Sequence, residues 1–204
     1  GRDISEKPDL AHLVRELGKL EGTFWVRLLY GYPALVTDEL LSAMEENVHC
    51  CHYLDLPVQH SDPDILKAMG REDTIAAVQE MVGKIREAMP EAAIRTTCLV
   101  GFPGETDRQF ENLVDYVKRM EFDHLGAFVY SPEEHTRAYH IKQQVERGVA
   151  QERRSVLLEV QAEIAARRSC RLIGSIEEVL LEKRLDGKDD VFLARSWRQA
   201  PEVD

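Results

Sequence analysis

No apolar run in this chain of 204 residues reaches the roughly 20 residues that a membrane-spanning helix requires, and no basic-then-apolar signal opens it. A cytoplasmic protein is the expectation. Basic residues are few, 26 Lys and Arg against 37 Asp and Glu, for a formal net charge of -11. Such a balance speaks against a general binder of phosphate backbones and for a basic or neutral partner. Cysteine is scarce too. Cys50, Cys51, Cys98 and Cys170 make no C-x-x-C or C-x-x-x-C-x-x-C, so their spacing spells neither a zinc nor an iron–sulfur site, and no residue is assigned to a metal. Cys50 and Cys51 read as reduced thiols in preference to metal ligands with distant partners, and Cys98, alternating with apolar neighbours, as a small core residue. There is no H-E-x-x-H, G-x-S-x-G or Walker pattern, and the seven histidines form no ligand-spaced cluster. Internal repeats and low-complexity segments are also missing.

What is present is a regular alternation of helix and strand. Leu10, Leu13, Val14, Leu17 and Leu20 fall at helical spacing before Gly22, after a polar entry from Gly1 to Pro8. Phe24 to Tyr30 reads as a strand, Thr37 as the cap of a second helix, and Tyr53 to Val58 as the next strand. Asp62 caps a short helix with Pro63 at its first position and Gly70 just past its end. A helix from about Thr74 to Met89 leads to a strand at 94–100, a helix at 107–120 and a strand from His124 to Tyr130. This is the rhythm of a parallel sheet or partial barrel, whose working surface lies at the carboxyl ends of the strands. Four such ends carry polar or glycine signals: Tyr30 to Tyr32, Gln59-His60, Gly101 to Glu105 and Tyr130 to Glu134. Beyond Tyr139 comes a long charged helix, 149–170, with Val156, Leu157, Val160 and Ile164 on one side; its Arg and Glu run reads as a solvated face with local ion pairs. Two β-rich runs, Ile176 to Leu181 and Val191 to Ser196, then flank the turn Asp186-Gly187-Lys188.

The stretch from Ile94 to Thr106 is the densest signal. An apolar strand runs into a turn bounded by Gly101 and Gly104 and stiffened by Pro103. Thr106 and Gln109 form a T-x-x-Q capping box that opens a helix with Phe110, Leu113, Val114 and Val117 on one face. Taken alone, such a turn is either a small-ligand site or a tight connection with no ligand.

Taken together, these pieces resemble the radical S-adenosylmethionine methylthiotransferases, and within them the RimO branch. The matching pieces are Trp25 to Tyr30 with Tyr32-Pro33, Tyr53 to His60, Leu66 to Arg71, Arg95 to Thr97, Val100 to Thr106, Phe122-Asp123 with Leu125-Gly126, Tyr130-Ser131 with Glu133-Glu134, and Ala194 to Asp204. The resemblance implies an α/β fold: a partial (β/α) radical-SAM barrel with parallel strands over 1–148, a connecting helix at 149–174, and the start of a small β-rich TRAM domain at 175–204. It implies a radical enzyme that adds a methylthio group to the β-carbon of an aspartate in a basic small-subunit ribosomal protein. The cofactors implied for the full-length family are S-adenosylmethionine and two 4Fe-4S clusters.

Carried over by position, Gly101, Pro103, Gly104 and Glu105 would lie against the nucleoside of S-adenosylmethionine. Gln59 and Arg95 would hydrogen-bond the cofactor or the target carboxylate, although a structural ion pair also suits Arg95. Tyr30 and Tyr130 would line the cavity. Trp197 and Arg198 would dock substrate, or else pack the hairpin onto the barrel. A tRNA adenosine, the substrate of the related MiaB branch, is the alternative. It is disfavoured by His60, by Glu133-Glu134, and by the eight acids against five bases between Ser175 and Asp204.

The family's cluster-binding C-x-x-x-C-x-x-C is not among these residues. The expectation for the chain as given is therefore no bound iron, little affinity for S-adenosylmethionine and no catalysis. A non-catalytic remnant acting as a binding module is the competing reading. Ser61-Asp62-Pro63 and His135-Thr136-Arg137 also depart from the family pattern. If position 135 needs a positive φ, His135 is a poorer residue there than glycine.

Overall fold

A computed structural model of the chain describes residues 9–71, 75–187 and 190–204. The elements run α1 (Leu10–Leu17), β1 (Val26–Leu28), α2 (Asp38–Glu46), β2 (Cys50–Asp55), α3 (Pro63–Ala68), α4 (Ile75–Ala88), β3 (Ala93–Val100), α5 (Asp107–Met120), β4 (His124–Val129), α6 (Arg147–Cys170), β5 (Val179–Arg184) and β6 (Phe192–Ser196). Single turns of 3-10 helix cover Pro33–Leu35 and Ala138–His140. The first four strands form one parallel sheet in chain order, and β5 and β6 pair antiparallel. An α/β fold with a parallel sheet followed by a β pair is thus what the chain adopts.

Local chemistry sets most helix starts. The Thr37 hydroxyl accepts from Leu40 N–H at the start of α2, and Asp62 Oδ1 accepts from the N–H groups of Asp64 and Ile65 at the start of α3. The capping box of α5 is complete, with Thr106 and Gln109 bonding reciprocally. The helix expected from Thr74 begins at Ile75, Thr74 itself lying outside the described residues, as do Gly1 to Pro8 and Lys188.

β2 is shifted from its expected place, occupying Cys50–Asp55 rather than Tyr53–Val58. Pro57 has no N–H to give to the ladder, so regular pairing stops before it. Leu56 N–H still reaches Arg95 C=O at 2.9 Å, and the chain returns to β3 at Gln59, whose N–H donates to Thr97 C=O at 2.8 Å. β1 is likewise shorter than expected.

Alternate strand residues serve opposite faces. Cys50, Leu54, Ile94, Cys98, Val100 and Ala127 meet the helices in the main core, where α5 contributes Leu113, Tyr116, Val117 and Met120 at helical spacing. Each of the Leu, Ile, Val and Met side chains among them, when fully buried, stabilises the fold by about 1.5–3 kcal/mol before entropy. Cys51, Tyr53 and Ala93 face the other way and gather Trp25, Trp197 and Ala200. The segment after β6 therefore seats on the face of the sheet away from the helices. α6 buries the apolar side expected of it, but its charged face is not paired only locally. Leu157 and Ile164 join the main core, Arg154 donates to Ala127 C=O at 2.9 Å, Gln161 to Phe122 C=O at 2.9 Å, and Arg168 meets Asp123 at 2.6 Å. Its arginines read as a solvated face only because their partners are distant in sequence. No helix among the described residues is long and apolar enough to cross a membrane.

Candidate functional site

β3 ends at Val100, and Gly101 and Gly104 turn the chain at φ of 72° and 88°. A Cβ on Gly101 would lie 2.4 Å from Ala150 Cβ, because α6 abuts the turn from behind. The turn is closed by its own acid. Glu105 Oε2 accepts from the N–H groups of Gly101 and Phe102, the latter at 3.1 Å, and the side chain is buried. Gly104 N–H donates to Gln143 C=O at 2.7 Å, Glu105 N–H to Phe102 C=O at 2.9 Å, and Thr106 N–H to Gln109 Oε1 at 2.9 Å. Every N–H from Gly101 to Thr106 is thus spent, Pro103 having none. What the turn can still offer a ligand is carbonyl oxygen. It is not built to cradle a phosphate; it suits a ligand that brings amino and hydroxyl donors.

Behind the turn lie three charged or polar groups from three elements. His60 is fully buried, and its Nδ1 accepts from Asp62 N–H at 2.9 Å, which places the proton of the neutral ring on Nε2. Nε2 lies 3.8 Å from Glu105 Oε1, and neither atom has a hydrogen-bond partner. Arg153 of α6 donates to Glu105 C=O at 3.2 Å, pairs with Asp107 at 2.7 Å, and stands 3.5 Å from Glu105 Oε1. Leaving a buried donor or acceptor unmade costs about 1–3 kcal/mol.

Of the residues expected at the site, Gln59, Gly101, Pro103, Gly104, Glu105 and Tyr130 come together at the carboxyl ends of the strands. Gln59 takes a left-handed φ of 66° and bridges to Cys98. Tyr130 N–H donates to Val100 C=O at 2.9 Å, and its ring meets Phe102 edge-on at 5.3 Å. Tyr30, at φ of 58° and 79% exposed, marks the end of β1. A cavity of about 360 Å³ opens beside Gly104 to Thr106, walled by Gln143, Gln144 and Val145.

Arg95, Trp197 and Arg198 stand apart. Arg95 is the third residue of β3, about 20 Å below the turn at the usual rise of ~3.3 Å per residue. Its guanidinium is held between Asp55 at 3.0 Å and Asp204 at 3.1 Å, with Thr97 Oγ1 also at 3.1 Å. Burial opposes its charge, but hydrogen bonding to Asp55 and the surrounding negative groups more than offset this and hold its pKa above the usual arginine value. Asp204 also accepts from Tyr53 Oη and Ala200 N–H, both at 2.7 Å, while Asp55 Oδ2 accepts from Tyr30 N–H at 3.1 Å. Trp197 C=O accepts from Arg27 at 2.8 Å. Arg198 stacks over the Trp197 ring at 4.3 Å and binds Glu91 at 2.7 Å and Glu177 at 3.2 Å. All three pin the C-terminal segment to the sheet. Sequence reasoning passed over Asp55, Asp204 and Arg153. Asp55, a charge between Leu54 and Leu56, was findable as a buried acid needing a cation; the other two have partners too remote to read.

A second cavity, about 280 Å³, sits at the opposite end of the sheet between α6 and the β pair. Its arginines are all paired, Arg168 with Asp123, Arg171 with Glu121 and Arg198 with Glu91, so the lining offers no unpaired guanidinium to an anion.

The profile of the radical SAM superfamily matches residues 1–117. The chain belongs to this superfamily. Across its whole length it is 45% identical to the ribosomal protein uS12 methylthiotransferase RimO of Synechococcus sp. (strain JA-2-3B'a(2-13)), covering 43% of that protein. It is 42% identical to the protein of the same name from Geobacter sulfurreducens, again over 100% of this chain and 46% of the other. The chain thus spans less than half the length of the curated relatives it matches. Among solved structures, coproporphyrinogen III oxidase (HemN) from Escherichia coli, a radical SAM enzyme, aligns with a TM-score of 0.49 at 14% identity, covering 83% of this chain and 36% of that one.

The superfamily implies S-adenosylmethionine and an iron–sulfur cluster. The turn fits the first: its carbonyl oxygens suit the amino and hydroxyl groups of a nucleoside. The second does not fit the residues at hand. Among the described residues no group of three or more His, Cys, Asp or Glu could hold a metal ion, and burial pushes the Cys50 and Cys98 thiols up to about 12, away from the thiolate that iron requires.

Proposed function

We propose that this chain is the nucleoside-holding part of a radical S-adenosylmethionine methylthiotransferase that modifies the β-carbon of an aspartate in ribosomal protein uS12. The single observation that carries this reading is the likeness, along the whole chain, to proteins named uS12 methylthiotransferases; the aspartate β-carbon rests on the family resemblance alone. The turn supports it, since Gly101 to Glu105 presents acceptors rather than donors. In the family, S-adenosylmethionine with a reduced four-iron cluster supplies the radical that activates an unreactive C–H bond. Here Glu105 would fix the turn, Tyr130, backed by the buried Phe102, would wall the nucleoside, and Gln59, held in a left-handed conformation, would aim its amide at the ligand. The β5–β6 pair would belong to a TRAM domain. The cluster ligands would lie in polypeptide outside these residues, so the chain alone would be inactive.

The test uses the full-length protein that carries this chain, reconstituted anaerobically and supplied with S-adenosylmethionine, a sulfur source, and either uS12 or tRNA. Mass spectrometry should find one methylthio group on an aspartate of uS12. Modification of tRNA alone would move the protein to the RNA-modifying branch. A loaded protein that modifies neither would make it a binding module.

A further inference from the structure

We infer that His60 is a positioning residue for the cofactor turn, acting through Glu105; this rests on the reading that S-adenosylmethionine lies against that turn. The ring is fully buried and its tautomer is set by Asp62 N–H, so Nε2–H is a fixed donor with a single direction. It points to Glu105 Oε1, an equally buried acceptor without a hydrogen-bond partner, across 3.8 Å. A hydrogen bond between them needs the gap to close by about 1 Å. Native interiors leave few such atoms unpaired, and an orphan donor facing an orphan acceptor marks a contact that another state of the protein completes.

The way the turn is tied to Glu105 limits which movement would complete it. Glu105 Oε2 is tied to the N–H groups of Gly101 and Phe102, so the carboxylate and the turn move as one piece. A ligand settling on the carbonyl face presses that piece inward and carries Oε1 towards His60. Arg153 stands 3.5 Å from the same oxygen but is already engaged with Glu105 C=O and Asp107. Gln109 Nε2 bonds Asp62 Oδ1 at 2.9 Å, tying the loop that carries His60 to the first turn of α5. The donor is therefore held on the same frame as the turn it receives.

The experiment measures binding of S-adenosylhomocysteine to the full-length protein by calorimetry, with hydrogen exchange of the 101–106 amides in parallel. His60→Ala should weaken binding about tenfold, the equivalent of one net hydrogen bond, and abolish the ligand-induced protection of those amides. His60→Gln, which restores a donor at the position of Nε2, should recover most of both. Glu105→Gln, which can turn an amide N–H2 towards the ring's own N–H, should weaken binding as His60→Ala does, and serves if His60→Ala fails to fold. Affinity equal to wild type in His60→Ala, or no recovery in a His60→Gln protein of unchanged unfolding midpoint, overturns the inference while leaving the cofactor reading intact. A wild-type protein that binds no S-adenosylhomocysteine overturns both.

Discussion

Replacing Arg95 with Met should cost the fold about 4 kcal/mol. The guanidinium, Asp55 and Asp204 are nearly dry, with side-chain exposures of 9%, 3% and 1%. Removing the cation leaves two buried carboxylates on one face of the sheet, with only the His124 ring, 3.7 Å from Asp204, beside them. Breaking a buried pair from one side typically costs about 3–5 kcal/mol. The bonds Asp204 keeps to Tyr53 and Ala200, and Asp55 keeps to Tyr30, hold the loss within that range. Against a total stability of about 5–15 kcal/mol this is a severe defect. Urea unfolding at neutral pH measures it, with an unchanged m value as the check that the same surface unfolds. The triple variant Arg95→Met, Asp55→Asn, Asp204→Asn should regain at least half the loss, because no charge is then left buried. A single-variant cost below about 1 kcal/mol would refute the claim that this network is dry and tight. A triple variant as unstable as the single would show that packing of the arginine stem, not charge, is what matters.

Three further outcomes follow from particular positions. Gly101→Ala should destabilise by about 3 kcal/mol, combining a left-handed φ with the clash on Ala150, whereas Gly70→Ala, at φ of 75° with open space around it, should cost only about 1 kcal/mol; thermal melts of the two compare strain with and without a clash. His135→Gly should stabilise by up to about 1 kcal/mol, since His135 sits exposed at φ of 71°; a loss on melting would contradict it. The buried Cys50 and Cys98 thiols have folded pKa values raised from 9.0 to about 12, so the stability they contribute is complete below pH 9 and is lost as pH rises towards 12. Unfolding free energy should fall across that window, and less steeply in Cys98→Ala.

What could be read from the sequence was local. The caps at Thr37, Asp62 and Thr106 were legible because a cap and its partners lie within three residues of each other. The parallel order of the strands followed from helices of the right length between them. The conditional reading of position 135 came from the family resemblance instead, since nothing in a histidine announces the φ of 71° it adopts. β2 was misplaced because Cys50-Cys51-His52 carries little strand propensity and earns its place through pairing and burial, whereas the apolar run around Pro57 only looks like a strand. The arginines of α6 and the carboxylate of Asp204 were illegible for a different reason. Arg153 finds Asp107 46 residues away, and Arg95 finds Asp204 109 residues away. No periodicity in the chain encodes such pairs.

A glycine-flanked strand that opens directly into a helix is shared by many phosphate-binding proteins, so the decisive question is what the capping residues do with the free N–H groups. Here Glu105 takes two of them and places a buried carboxylate where a phosphate would have to sit. A phosphate at the turn would meet spent donors and a like charge; a neutral nucleoside, or one carrying a positive sulfonium, meets neither obstacle. The consequence is a ranking. In the full-length protein carrying this chain, adenosine should displace bound S-adenosylhomocysteine, and adenosine 5′-monophosphate should do so about tenfold less well, the penalty of one like-charge contact of ~1.4 kcal/mol that Arg153, already engaged with Glu105 and Asp107, does not relieve. Equilibrium dialysis with both competitors decides it. Equal displacement would mean that the phosphate avoids Glu105 altogether and that the ligand's sugar does not approach the turn from its carbonyl face.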